Sequence, residues 1–239
     1  YVSGAAEAGF AMADRAARAG YLVLVLTVDV PKVAPRPRDL RNGFQTPFRL
    51  RAKQFGDFAL HPRWSISTLL AGVPTTANFR LADGSNQFDR GASRAGANWA
   101  FLEQLRARWK GNLIVKGVLD PDDAQRVKDL GADAIYVSNH GGRQLDGVAP
   151  SIRTLPEVVA AVGDQTEVLF DSGIRRGSDI AKALCLGARA VLVGRAYMYG
   201  VAAAGTAGAA RSIEILREEL IRTLKLLGVG SVTELNDSF

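Results

Sequence analysis

Five short runs in this chain are apolar on both faces: Tyr21 to Thr27, Leu113 to Val118, Ala134 to Val137, Val168 to Phe170 and Ala190 to Val193. A strand that faces water on one side alternates apolar and polar residues. A short run that is apolar throughout fits a buried strand of a parallel sheet. Helical patterns lie between these runs, over Ala6 to Ala19, Asn98 to Trp109, Pro121 to Leu130, Leu155 to Val162 and Ser178 to Leu186, and a final helix is predicted over about Ala207 to Leu227. Asp120-Pro121 reads as an N-cap with a proline in the first turn, and Gly131 and Gly187 fall where helices should end. The alternation predicts a parallel α/β fold.

Polar residues gather where the strands should end: Thr27-Val28-Asp29, then Lys116, Ser138-Asn139-His140-Gly141-Gly142-Arg143, Asp171-Ser172-Gly173 and Gly194-Arg195. Chemistry at the carboxyl ends of parallel strands is the rule in (β/α)8 barrels. Five strands can be counted and a closed barrel has eight, so three further units of about 100 residues are expected elsewhere. The expectation is a (β/α)8 TIM barrel, with this sequence covering roughly strands 4–8 and the N-terminal part missing; the chain starts at Tyr1 rather than Met. Residues 1–239 then form the C-terminal part of one domain. An open, doubly wound five-strand sheet is the alternative.

One stretch, about 31–97, shows no clear strand–helix unit. It mixes Arg36, Arg38, Arg41, Arg49, Arg51, Lys53 and Arg63 with Phe44, Phe48, Phe55, Phe58, Leu60 and Trp64. Basic residues among large apolar ones suit a membrane surface, and Gln45 to Thr75 is the part expected to bind it. A lid or a subunit contact is the plainer reading. The net charge of +6 suits an anionic surface or a phosphorylated cofactor, and arginines spread along the whole chain argue against nucleic acid. The one cysteine, Cys185, excludes a disulfide framework and points to a reducing, cytoplasmic compartment. No apolar run is long enough to span a bilayer, no signal peptide is read, and no metal site is read.

Three constellations carry chemistry. His140 follows a strand in SNHGGRQLD, with Arg143 three residues on and Asp29 at another strand end. A base beside a guanidinium suits proton abstraction from an acid held by its carboxylate, and Asp29 can stabilise the resulting imidazolium. The loops Asp171-Ser172-Gly173-Ile174-Arg175-Arg176-Gly177 and Gly194-Arg195 combine exposed backbone N–H groups with guanidinium charge, which makes a phosphate site. Turn glycines with solvated arginines are the bland alternative. Lys116 sits inside an apolar strand and needs an anionic partner: a reduced flavin, or a carboxylate in a buried ion pair.

The order TVDVP, R-x-RD-x-RN-x-F, LIVKG, SNHGGRQLD, DSGIRRGSDI-x-KAL-x-LGA and GR resembles the FMN-dependent 2-hydroxyacid dehydrogenase/oxidase family over essentially the whole chain. LHPRWS, DSGIRRGSDI and GRAYMYG resemble its (S)-mandelate branch, in which the segment after Pro31 would be the membrane-binding one. The resemblance implies His140 as the base, taking a proton from Cα or from the hydroxyl, and Asp29 as its partner. It implies Tyr1, Arg36 and Arg143 at the substrate, although Pro35 bears on how Arg36 is presented. It implies Thr27, Lys116 and Ser138 at the flavin ring of FMN, and Asp171, Ser172, Gly173, Ile174, Arg175, Gly194 and Arg195 at the ribityl phosphate end.

The implied reaction is oxidation of a mandelate-like (S)-2-hydroxy acid to the 2-oxo acid, with electrons passing to FMN and on to a membrane quinone. The implied assembly is a homo-oligomer, by family expectation a tetramer, peripheral on the inner face of the cell membrane. L-lactate dehydrogenase and an oxidase using O2 are alternatives within the family. A flavin-dependent isomerase on another phosphate-binding barrel is the alternative enzyme class. A degenerate barrel acting as a binding module is the non-enzyme alternative.

Overall fold

The computed structural model describes residues 1–2, 5–32, 37–43, 52–72, 94 and 96–239. Two units emerge from the packing, one formed by Tyr1–Ala34 with Ala92–Phe239 and the other by Pro35–Gly91.

In the larger unit, strands β1 (Val23–Thr27), β2 (Asn112–Val118), β3 (Ala134–Val137), β4 (Glu167–Phe170) and β5 (Ala190–Val191) form a parallel sheet in the order β1-β2-β3-β4-β5. This order settles the topology. A doubly wound sheet reverses direction at a switch point, whereas this one steps from neighbour to neighbour without reversal. Parallel neighbours joined in chain order by crossovers of one hand carry their connecting helices on one face, as in a barrel wall.

That face holds the core. Leu26, Leu113, Val115, Ile135, Val137, Val168 and Phe170 point into it and meet Phe101, Leu102, Leu105, Leu155 and Val158 from the helices, all buried. Each such side chain contributes about 1.5–3 kcal/mol on burial. Phe10 of α1 (Ala6–Arg18) stacks on Phe101 at 4.7 Å. The other face carries Val23 and Val25, exposed at 45% and 43%. In register along it come Thr27 with Lys116, Lys116 with Tyr136, and Tyr136 with Leu169.

Helix α5 (Trp99–Arg108) is capped by the Asn98 side chain, which accepts from the Phe101 N–H. The N-cap read at Asp120 forms: its carboxylate accepts from the N–H groups of Asp122 and Asp123, at 2.9 and 3.1 Å, starting α6 (Pro121–Asp129).

Within the segment expected to be irregular, 31–97, the described residues of the smaller unit are largely helical, and residues 33–36, 44–51, 73–93 and 95 lie outside the described residues. The smaller unit contains helices α2 (Pro37–Arg41), α3 (Ala52–Leu60) and α4 (Pro62–Ala71). His61 joins α3 to α4 and bonds through Nδ1 to the Asp57 carbonyl at 2.8 Å, so it has a structural role. Helix α7 (Ser151–Val162) starts four residues before the predicted Leu155 and keeps Pro156 inside it. Helix α8 (Gly177–Cys185) falls as expected. The span α9 (Arg195–Leu227) is two helices in series: Ala204 and Gly205 leave helical geometry, so the predicted helix from about Ala207 is there, and a helix from Arg195 that was not predicted precedes it.

Candidate active site

The carboxyl ends of β1 to β4 bring the predicted residues together. Asp29, two residues past β1, lies 3.1 Å (Oδ1) and 3.2 Å (Oδ2) from His140 Nδ1. Both side chains are largely buried. The Tyr1 hydroxyl is 3.2 Å from His140 Nε2. A carboxylate accepts only, so Nδ1 carries the hydrogen and Nε2 keeps a lone pair, to which Tyr1 donates. The ring is thereby oriented with its basic nitrogen away from Asp29.

Two backbone features make this approach fit. Gly117 in β2 has φ +104, and a Cβ there would lie 2.6 Å from the Asp29 Cβ. His140 itself has φ 58, in the left-handed region that non-glycine residues rarely adopt. Such conformations persist where the surroundings over-determine them, and they gather at functional sites.

Lys116 has its anionic partner within the chain. Its Nζ donates to Ser138 Oγ at 2.7 Å and lies 3.3 Å from Asp171 Oδ2. The same Asp171 oxygen accepts from the Tyr136 hydroxyl at 3.1 Å. Lys116 also sits 4.9 Å from the Tyr136 ring centroid. Burial first, and then the Asp171 charge, push the Tyr136 phenol above the usual tyrosine range, so it remains a hydrogen-bond donor. Sequence reading did not single out Tyr136. It also missed Ser151, which is buried and donates to the Asp171 carbonyl at 2.9 Å, and Arg94, whose guanidinium lies 5.3 Å from the Tyr1 ring centroid. The signal for Tyr136 was its register beside Lys116.

The loops read as a phosphate site lie at the same end of the sheet. Each leads into a helix N-terminus, a ready place for an anion, that of α8 after Arg176 and that of α9 after Gly194. A Cβ at Gly173 or Gly194 would meet nothing within 4 Å. The first amides of α8 are already satisfied: Arg175 and Arg176 N–H donate to Asp179, and Gly177 N–H donates to Glu219. Arg176 pairs with Glu219 at 2.8 Å. Among the described residues the Arg175 side chain has no such partner. Arg195 donates to the Gly141 carbonyl at 2.9 Å and so ties this region to the His140 loop. Open glycines, guanidinium charge and a lysine at the sheet's carboxyl edge fit a flavin mononucleotide. Arg143 is exposed beyond the His140 turn, and Arg36 lies outside the described residues.

Comparison with known proteins agrees with this geometry. The family model described as FMN-dependent dehydrogenase matches residues 1–239. The chain belongs to that family. It is 44% identical over 233 residues to (S)-mandelate dehydrogenase of Pseudomonas putida, covering 95% of this chain and 59% of the relative. It is 40% identical over 232 residues to L-lactate dehydrogenase of Caulobacter vibrioides, covering 94% and 60%. Among solved structures, the monotopic membrane protein (S)-mandelate dehydrogenase superposes with a TM-score of 0.90 at 42% identity, over 96% of this chain and 62% of that one. A mandelate oxidase variant carrying a C4a-OH-FMN adduct gives a TM-score of 0.73 at 40% identity, over 95% and 58%. The chain thus spans about 60% of the length of the relatives it matches. Their barrel architecture is the one that the strand order here follows.

Proposed function

We propose that the protein oxidises an (S)-2-hydroxy acid of the mandelate type to the 2-oxo acid, with FMN as cofactor and His140 as base. The observation that carries this reading is the Asp29–His140–Tyr1 chain, which orients the His140 ring with its basic nitrogen away from Asp29. Arg143, with Arg36, would hold the substrate carboxylate by charge-assisted hydrogen bonds. His140 Nε2 accepts a proton from the bound substrate, and the positive charge formed on the ring is met by Asp29. Tyr1 would turn its one hydrogen from Nε2 to the substrate oxygen, which frees the Nε2 lone pair to take the proton. FMN, when bound, supplies the two-electron acceptor. Thr27, Lys116 and Ser138 would hold its ring. Asp171, Gly173, Ile174, Arg175, Gly194 and Arg195, with the backbone of Ser172, would line its ribityl phosphate end.

His140→Ala is the test. Reduction of bound flavin by (S)-mandelate should fall by about 10²–10⁴-fold, while FMN binding, measured by flavin fluorescence, stays within twofold. Turnover close to that of the unaltered protein would overturn the base assignment. The similarity to L-lactate dehydrogenases makes L-lactate the comparison substrate.

The α3–α4 pair supports a membrane-facing reading with a quinone as electron acceptor. Phe55, Leu60, Trp64, Ile66, Leu69 and Leu70 are all exposed on it, Leu69 and Leu70 at 81% and 85%. Arg63 lies among them. Apolar side chains of this size with a basic neighbour suit insertion at a lipid surface. Among the described residues no helix is long and apolar enough to cross a membrane, so the reading is of peripheral attachment.

A further inference from the structure

The Ser172 hydroxyl is fully used. It donates to Asp171 Oδ1 at 2.8 Å and accepts from two backbone N–H groups, Gly141 at 2.9 Å and Asn139 at 3.3 Å. A hydroxyl has one hydrogen to give and two lone pairs. Nothing in it is left for a ligand. The two amides that it holds flank His140, whose φ of 58 is costly without support. Ser172 itself has φ 83, which a serine adopts only when its surroundings compensate.

The other anchors of the loop are of a different kind. Ser138 Oγ accepts from the His140 N–H at 3.0 Å and from Lys116, and Arg195 holds the Gly141 carbonyl. Among the described residues only Ser172 grips both sides of the histidine with one atom, and that atom is tied through Asp171 to Lys116 and Tyr136.

We infer that Ser172 is a positioning residue for the base: its hydroxyl latches the Asn139–Gly141 backbone and fixes the direction of the His140 ring, and it does not contact the cofactor. This revises the expectation that placed Ser172 among the cofactor contacts, leaving only its backbone N–H for that purpose. The inference rests on the functional reading only in treating His140 as the base.

The test is Ser172→Gly in the whole, FMN-loaded protein, with Ser172→Ala beside it. Glycine accepts φ 83 without strain, so it removes the latch and keeps the backbone. Three readouts separate the roles. Amide hydrogen exchange of the segment around Asn139 and Gly141 should quicken by about tenfold. The rate of flavin reduction by a saturating 2-hydroxy acid should fall by about ten- to a hundredfold, as for a misplaced reacting group, with half-saturation within twofold. FMN affinity should stay within twofold. Unchanged exchange would overturn the latch. Faster exchange with an unchanged rate would overturn the positioning role. Weakened FMN affinity with unchanged exchange would make Ser172 a cofactor contact instead. If the unaltered protein leaves its flavin oxidised with every 2-hydroxy acid, the functional reading falls, and the exchange comparison alone decides the latch.

Discussion

Asp29 reaches the His140 ring only because residue 117 has no side chain. A Cβ at Gly117 would press on the Asp29 side chain and backbone at 2.6–2.9 Å, at a φ that side chains rarely tolerate. Gly117→Ala should therefore cost about 1–3 kcal/mol of stability through strain and overpacking. It should also lower the rate of substrate oxidation by at least about tenfold, because a displaced carboxylate no longer orients the imidazole. Thermal unfolding and flavin reduction rates check the two halves, and an unchanged rate would show that Asp29 does not position the ring. His140, Asp29 and Lys116 were legible in the sequence because each is out of place where it stands: a histidine before two glycines, an aspartate and a lysine at apolar strands. Tyr136 and Ser151 were not. A tyrosine in a strand and a serine at a helix start are ordinary there. Only the register that sets Tyr136 beside Lys116 gives it a charged neighbour, and register is a property of the sheet.

At the level of elements, one ion pair ties the loop before α8 to α9. Arg176 donates to Glu219 of α9, and Glu219 also accepts the Gly177 N–H. The Arg176 hydrogen bond first, and then the Gly177 N–H, hold the Glu219 carboxyl below the usual glutamate range. A carboxyl lowered in the folded state stabilises it above the unfolded pKa, and that contribution fades as the pH falls through the folded value. Glu219→Gln should thus lower the unfolding temperature at neutral pH, and the gap from the unaltered protein should narrow in acid. A gap that stays constant with pH would assign the effect to packing. Helix α6 was readable to within a residue because Asp120-Pro121 marks its start. Helices α3 and α4 were not readable: Gly56 interrupts the first at a cost of about 1 kcal/mol, and the run of basic and aromatic residues hides the period. The signal that was passed over is Pro62, a first-turn proline at the start of α4. Helix α7 runs through Pro156 because Ser151, Leu155, Val158 and Val162 bury one face on both sides of it, and that burial outweighs the proline within the helix.

Across the whole molecule, strand order separates the two topologies that composition and periodicity leave open. Alternating strands and helices fit a barrel wall or a doubly wound sheet equally well. The pairing β1-β2-β3-β4-β5 fits only the first, and it aligns the candidate site residues along one edge. The proposed lipid attachment predicts an effect on the whole molecule. Replacing Trp64, Leu69 and Leu70 with serine should reduce binding to anionic vesicles by at least about tenfold while leaving flavin reduction intact, and binding of the unaltered protein should weaken with salt. Vesicle binding that survives the triple replacement would move the membrane contact elsewhere. The central claim is that this site takes electrons from a 2-hydroxy acid, and the direct measurement is the visible spectrum of the purified whole protein before and after (S)-mandelate is added without oxygen. The account predicts a yellow, flavin-loaded protein that bleaches. A protein that holds FMN but stays yellow with (S)-mandelate, L-lactate and other 2-hydroxy acids would contradict it.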